Sequence, residues 1–185
     1  LGKQYDFLYS SVGAHPDSAR EIDDEALREL TVLAREPKVC AIGEIGLDYH
    51  YEDACPREIQ QAAFERQLAL ARELDLPVIV HTREAVNDTL ALLKRYRPAG
   101  IVHCFSGSVE MAREVLNLGM YIGFTGVLTF KNARKAVEVV QYAPADRLLL
   151  ETDCPYMAPE PLRGRRCDST MLQYTLARMA ELKGL

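Results

Sequence analysis

Imidazole is scarce in this chain, whose four histidines are His15, His50, His81 and His103. Three of them follow short aliphatic runs, in Val12-Gly13-Ala14-His15, Val78-Ile79-Val80-His81 and Ile101-Val102-His103. Carboxylates take the same position in Gly43-Glu44-Ile45-Gly46-Leu47-Asp48 and Leu150-Glu151-Thr152-Asp153. Each residue alone has an ordinary structural use: a hydrogen-bonded histidine, a helix-capping Glu44, a turn formed by Asp153 before Pro155. The joint pattern is what points to chemistry. Glu44, His81, His103 and Asp153 form a ligand set that suits zinc, manganese or magnesium better than a thiolate-loving metal. His50, in Asp48-Tyr49-His50-Tyr51, reads as a loop residue outside that set. Gly43-x-x-Gly46 has too few glycines for a phosphate-cradling loop. The chain contains no Gly-x-Ser-x-Gly, and no cysteine has an evident histidine partner, which lowers nucleophilic catalysis as an explanation.

The elements that must position these residues alternate between two patterns. Aliphatic or β-branched runs at 7–12, 39–43, 77–81, 100–105, 121–125 and 147–152 read as strands. Several are apolar almost throughout, as suits parallel strands covered by helices. Helical periodicity joins Ala26, Leu27, Leu30, Leu33 and Ala34, and again Phe64, Leu68, Ala71 and Leu74. Further helices are expected over 86–96, 109–118, 133–142 and 171–182, with Pro98, Gly119 and Pro144 as stops. Strand–helix units without hairpin signals imply an α/β fold with a parallel sheet. Six units are visible, whereas a closed barrel has eight strands. An open doubly wound sheet is the competing architecture. In either, the C-terminal ends of parallel strands share one rim, so residues distant in sequence can meet there. No repeat or linker divides the chain, and 1–185 reads as one domain.

Composition narrows the function classes. The chain has 185 residues, 48% hydrophobic and 26% charged. No apolar run approaches the roughly 20 residues of a membrane-spanning helix, so no membrane role is expected. A formal net charge of −5 argues against a broad basic surface for coating nucleic acid. It leaves room for local grip on a phosphate through bound cations. The five cysteines are odd in number, widely spaced and without a Cys-x-x-Cys pair, which suits reduced thiols in the cytoplasm. Cys40 and Cys104 lie in apolar runs and read as small core residues.

Gly43-Glu44-Ile45-Gly46-Leu47-Asp48, Pro77 through Arg83, His103-Cys104-Phe105-Ser106-Gly107 and Leu150 through Tyr156 together resemble the TatD-related metal-dependent deoxyribonucleases. Val12-Gly13-Ala14-His15-Pro16 matches as well, and the motifs stand in the family's order over nearly the whole chain. The resemblance implies a TIM-like (β/α) barrel of the metal-dependent hydrolase kind with two divalent metal ions. It implies that Glu44 bridges the two metals, that His81 and His103 bind one, and that Asp153 binds the other and acts as general base. His15, Arg83 and Lys131 become candidate substrate or phosphate contacts. The implied reaction is hydrolysis of a phosphodiester, most simply exonuclease-like cleavage of DNA.

The chain also departs from the family pattern. It has no His-x-His pair, which such proteins carry on their first strand. The expectation is therefore a barrel lacking its first strand and its C-terminal end; the alternative is a diverged protein with one crippled site. Cys167, Asp168 and Ser169 stand where the family has Asn-Glu-Pro, which puts the local helix start in question. Two rival functions stay open. One is an amidohydrolase-type enzyme of the same superfamily acting on a small amide or lactone, since fold alone does not choose the reaction. The other is a catalytically inactive barrel with a binding role.

Overall fold

The computed structural model describes residues 2 and 4–185. Strands and helices alternate along it, as the α/β reading requires. The strands are β1 (Ser10–Val12), β2 (Val39–Asp48), β3 (Val78–Arg83), β4 (Gly100–Val102), β5 (Tyr121–Phe124) and β6 (Leu148–Leu150). The helices are α1 (Asp24–Ala34), α2 (Arg57–Glu73), α3 (Val86–Tyr96), α4 (Val109–Asn117), α5 (Arg134–Tyr142) and α6 (Leu172–Lys183). The chain forms two compact units, Leu1–Ile101 and Val102–Leu185.

In the first unit β1, β2 and β3 pair in parallel, and Val78 N–H donates to the Ala99 carbonyl at the approach to β4. Ile42, Ile45, Leu47, Val78 and Val80 are fully buried, as are Phe64 and Leu68 of α2 to within 1%. β2 runs five residues beyond the expected 39–43. Glu44 and Asp48 interrupt the apolar run, but the backbone ladder continues past them, pairing Asp48 with Arg83. Side-chain polarity marks where the core ends, not where the hydrogen bonds end. α1 begins at Asp23, whose Oδ1 accepts from Glu25 N at 3.0 Å and Ala26 N at 2.9 Å. Such a cap is worth about 1 kcal/mol.

In the second unit β5 and β6 are parallel, and Phe105 N–H donates to the Gly123 carbonyl at 2.9 Å. Met120, Ile122, Val115, Val139 and Val140 are fully buried between these strands and α4 and α5. Asp168 answers the question about the 167–169 departure. Its side chain accepts from Thr170 N at 2.9 Å and caps a short 3-10 turn that runs into α6.

The cysteine expectation is corrected. Cys40 is exposed and Cys104 only half-buried, whereas Cys55 and Cys167 are the buried thiols. Cys40 lies on an outward-facing step of β2, beside buried Ala41, so the apolar run there was not a guide to which side faced the core.

Candidate metal centre

β2 delivers two carboxylates to one imidazole. Glu44 is the extra residue of an irregular step: Gly43 stands opposite Ile79 and Ile45 opposite Val80. β2 thus uses two residues where β3 uses one, and such a bulge re-aims the side chain it carries. Glu44 is partly exposed while Ile45 and Leu47 beside it are fully buried. Gly46 stands opposite His81 with φ of +146°, and a Cβ there would lie 1.9 Å from the His81 carbonyl oxygen. Only glycine lets the two strands come this close.

His81 sits between the two carboxylates. Its Nδ1 is 3.0 Å from Glu44 Oε1 and its Nε2 is 2.9 Å from Asp48 Oδ2. Burial of the ring opposes its charge, but the hydrogen bonds and charges of Glu44 and Asp48 outweigh it and raise the His81 pKa above the ordinary 6.5. Asp48 is only 3% exposed, and its Oδ1 accepts from the His50 N–H at 3.0 Å. The His15 ring meets His81 edge-on, with centroids 4.7 Å apart. His15, Glu44 and His81 each turn a ligand atom to within 4.8 Å of the others. A divalent cation with bonds of about 2 Å joins ligand atoms no more than about 4 Å apart, so these three are near enough to close on one cation after a small side-chain adjustment, and two imidazoles with a carboxylate are a fitting donor set.

Helix α2 fixes these strand ends through two buried glutamines. Gln60 Oε1 accepts from Asp48 N at 2.8 Å, and its Nε2 donates to the Asp48 and Cys55 carbonyls at 2.8 and 2.7 Å. Gln67 does the same for the segment before His15, accepting from Ala14 N at 2.7 Å and donating to Ala14 O at 3.1 Å. The two lie seven positions apart, about two helical turns, and each is 1% exposed. They satisfy backbone groups that would otherwise be buried without partners.

In the second unit Glu151 organises His103. Its Oε2 is 2.8 Å from His103 Nδ1, and its Oε1 accepts from the Cys104 N–H at 2.6 Å. The His103 side chain is 12% exposed. A carboxylate on Nδ1–H sets the tautomer in which Nε2 carries the lone pair a metal needs. Asp153 is half-buried, and its carbonyl accepts from Tyr156 N at 2.7 Å in a turn.

The candidate substrate contacts fall in separate places. His15 joins Glu44 and His81. Arg83, at the end of β3, stands over the Tyr51 ring at 5.2 Å and donates to Tyr51 Oη at 3.2 Å. Lys131 is exposed just ahead of α5, next to Phe130, whose ring carries the Arg163 guanidinium at 4.4 Å. His50 pairs with Glu84 at 2.6 Å. The sequence reading noted Asp48 and Glu151 after strand runs without giving either a role, and it passed over Gln60 and Gln67. Asp48 had a signal, since it stands four residues after Glu44 on one strand with glycine between. The glutamines showed only as polar positions on the apolar face of a helix.

Imidazoles and carboxylates at the ends of parallel strands are the donor groups that a metal-dependent hydrolase uses. The chain belongs to the TatD related DNase family, which matches it over residues 1–185. It is 46% identical over 184 residues to the protein of Bacillus subtilis (strain 168) named uncharacterized metal-dependent hydrolase YabD, covering 98% of this chain and 72% of that one. It is 40% identical over 192 residues to the 3'-5' ssDNA/RNA exonuclease TatD of Klebsiella pneumoniae (strain 342), covering 100% of this chain and 73% of the relative. The crystal structure of YjjV, a TatD homolog from Escherichia coli K12, superposes with a TM-score of 0.92 at 36% identity, over 98% of this chain and 71% of that one. The fold is therefore the TIM-barrel-like α/β fold of that family. Among the described residues no helix is long and apolar enough to cross a membrane.

Proposed function

We propose that the protein hydrolyses phosphodiester bonds of DNA in an exonuclease-like manner, using two divalent cations. The observation that carries this reading is the convergence of His15, Glu44 and His81 within 4.8 Å, on strand ends of a chain of this family. The kinship to a relative named as an exonuclease on single-stranded DNA and RNA supports the substrate class.

In this reading His15, Glu44 and His81 hold one cation, with Asp48 fixing the far nitrogen of His81. Within the second unit His103, set by Glu151, is the candidate metal ligand. Asp153 serves as ligand and as the general base that takes the proton of the attacking water. Divalent cations supply Lewis-acid charge that stabilises the developing oxyanion, in zinc, manganese or magnesium form. Arg83 offers a forked donor to a phosphate oxygen, and Lys131 a point charge. An acidic protein needs such cations, since Glu44, Asp48 and Asp153 otherwise repel a phosphate. The five cysteines fit a cytoplasmic setting.

The test is metal analysis of the purified protein followed by incubation with end-labelled single-stranded DNA, with and without chelator. Bound metal and progressive shortening that the chelator stops are expected. A metal-loaded protein that leaves DNA intact would remove the reading.

A further inference from the structure

We infer that Cys154 and Cys167 form an oxidation site, at which a peroxide closes an intramolecular disulfide that draws on the turn carrying Asp153. The bond concerns the second unit alone; its effect on turnover rests on the reading of Asp153 given above.

The two thiols come from different parts of that unit. Cys154 stands in the turn after β6, where the Tyr156 N–H donates to the Asp153 carbonyl at 2.7 Å. Cys167 lies just ahead of the short helical turn that Asp168 caps. A backbone bond ties the two segments together, from the Cys167 N–H to the Pro155 carbonyl at 2.9 Å, and the two side chains are hydrogen-bonding neighbours. Both cysteines are free. Cys167 is one of the residues at which the chain departs from the family pattern, so the pair is a feature of this sequence and not of the fold.

The thiols differ in access. Cys154 is exposed, whereas Cys167 is 3% exposed and packs with Ala158, Leu162 and Met171. An oxidant in solvent therefore meets Cys154 first, and Cys167 is the resolving thiol; reversible oxidation uses this arrangement. Hydrogen peroxide transfers one oxygen to the Cys154 sulfur, giving the sulfenic acid and one water. The Cys167 sulfur then attacks that sulfur, the S–S bond forms, and the hydroxyl leaves with the Cys167 proton as a second water. The thiol pair loses two electrons, which the peroxide takes up. Cys40, the other exposed thiol, faces the Ser10 carbonyl at 3.6 Å, and a carbonyl does not resolve a sulfenic acid.

Closure acts on Asp153 through its neighbours. In the reduced protein the Cys154 thiol donates to Thr152 Oγ1 at 2.9 Å, and Thr152 links Asp153 to Glu151, which holds His103. A disulfide needs its sulfurs about 2.05 Å apart, well inside the contact distance of two thiols. Cys154 must then leave Thr152 and move toward Cys167, taking the backbone beside Asp153 with it. A displacement of about 1 Å can cost on the order of 10²-fold in rate.

Metal-loaded wild-type protein and Cys154→Ser, whose hydroxyl keeps a donor for Thr152, are treated with hydrogen peroxide, alkylated, and digested without reductant. Mass spectrometry of the wild-type digest is expected to show peptides joined through Cys154 and Cys167 that separate on reduction. Turnover of end-labelled single-stranded DNA falls about 10- to 100-fold in the oxidised wild type, returns with dithiothreitol, and is unchanged in Cys154→Ser at the same peroxide dose. Alkylation of both cysteines after peroxide, or a bond to a different cysteine, would overturn the site. A joined pair with full turnover, or an equal loss in Cys154→Ser, would overturn its hold on Asp153. Reduced protein that leaves DNA intact removes the phosphodiesterase reading instead, and the peptide map then decides the disulfide by itself.

Discussion

Changing Asp48 to Asn alters one atom of a side chain that is 3% exposed, and its consequence follows from counting acceptors. The carboxylate serves two donors, His81 Nε2–H at 2.9 Å and the His50 N–H at 3.0 Å. An amide has one oxygen, so one of the two loses its partner or faces an N–H. If the oxygen turns to His81, the tautomer survives, but a neutral acceptor replaces an anion and Nδ1 becomes a weaker ligand. If the amide NH₂ turns to His81, the ring proton moves to Nδ1, the nitrogen that faces Glu44, and opposes a cation there. Both orientations weaken the metal. Loss of such a carboxylate behind a ligating histidine lowers metal affinity about 10- to 100-fold, or about 1.4–2.8 kcal/mol at 1.4 kcal/mol per tenfold. The lost hydrogen bond costs a further ~1 kcal/mol of folding stability, too little to unfold an ordinary domain. The assay is a competition titration of the metal-free protein against a chromophoric chelator, with circular dichroism as a check on folding. A folded Asp48→Asn protein that binds metal as tightly as wild type would refute the positioning of His81 by Asp48.

Further expectations follow from the same geometry. Gly46→Ala places a methyl against the His81 carbonyl and is expected to cost more than about 2 kcal/mol; urea unfolding within 0.5 kcal/mol of wild type, the range of about ±0.5 for neutral sites, would contradict the close approach. Glu151→Gln leaves one oxygen for both His103 Nδ1–H and Cys104 N–H, so turnover or metal affinity should fall about 10- to 100-fold; steady-state kinetics alongside metal analysis decides whether it does. Asp153→Asn should keep the fold and lower kcat by about 10²-fold or more if the carboxylate is the base, and near-normal turnover would take that role away. Because Glu44 and Asp48 raise the His81 pKa above 6.5, the metal-free ring stays protonated to higher pH than a free imidazole. Metal must displace that proton, so apparent affinity should weaken as pH falls through this range. Calorimetric titrations at several pH values should show it, and a pH-independent affinity would exclude His81 as a ligand.

The sequence by itself determined the alternation of elements and the strand ends at which chemistry could stand. α3 occupies the expected 86–96, and α5 starts one residue after its expected 133. Periodicity and end signals are local, and these helices are long enough to show them. Glu44 and His81, which the structure brings together with His15, could be singled out for the same reason, since each closes an aliphatic run. Tertiary structure decided what surrounds them. The extra step at Glu44 exists only against the register of β3, and Asp48 acquires its role only through a histidine 33 positions away. Gln67 could be read as a site-building residue only once Ala14, 53 positions earlier, was seen on its amide. His15 passed from substrate contact to candidate ligand because its ring lies 4.7 Å from that of His81. Hydrophobic pattern reports which face is buried, whereas the pairing of polar atoms depends on which distant backbone arrives there, and no local window of sequence contains that information.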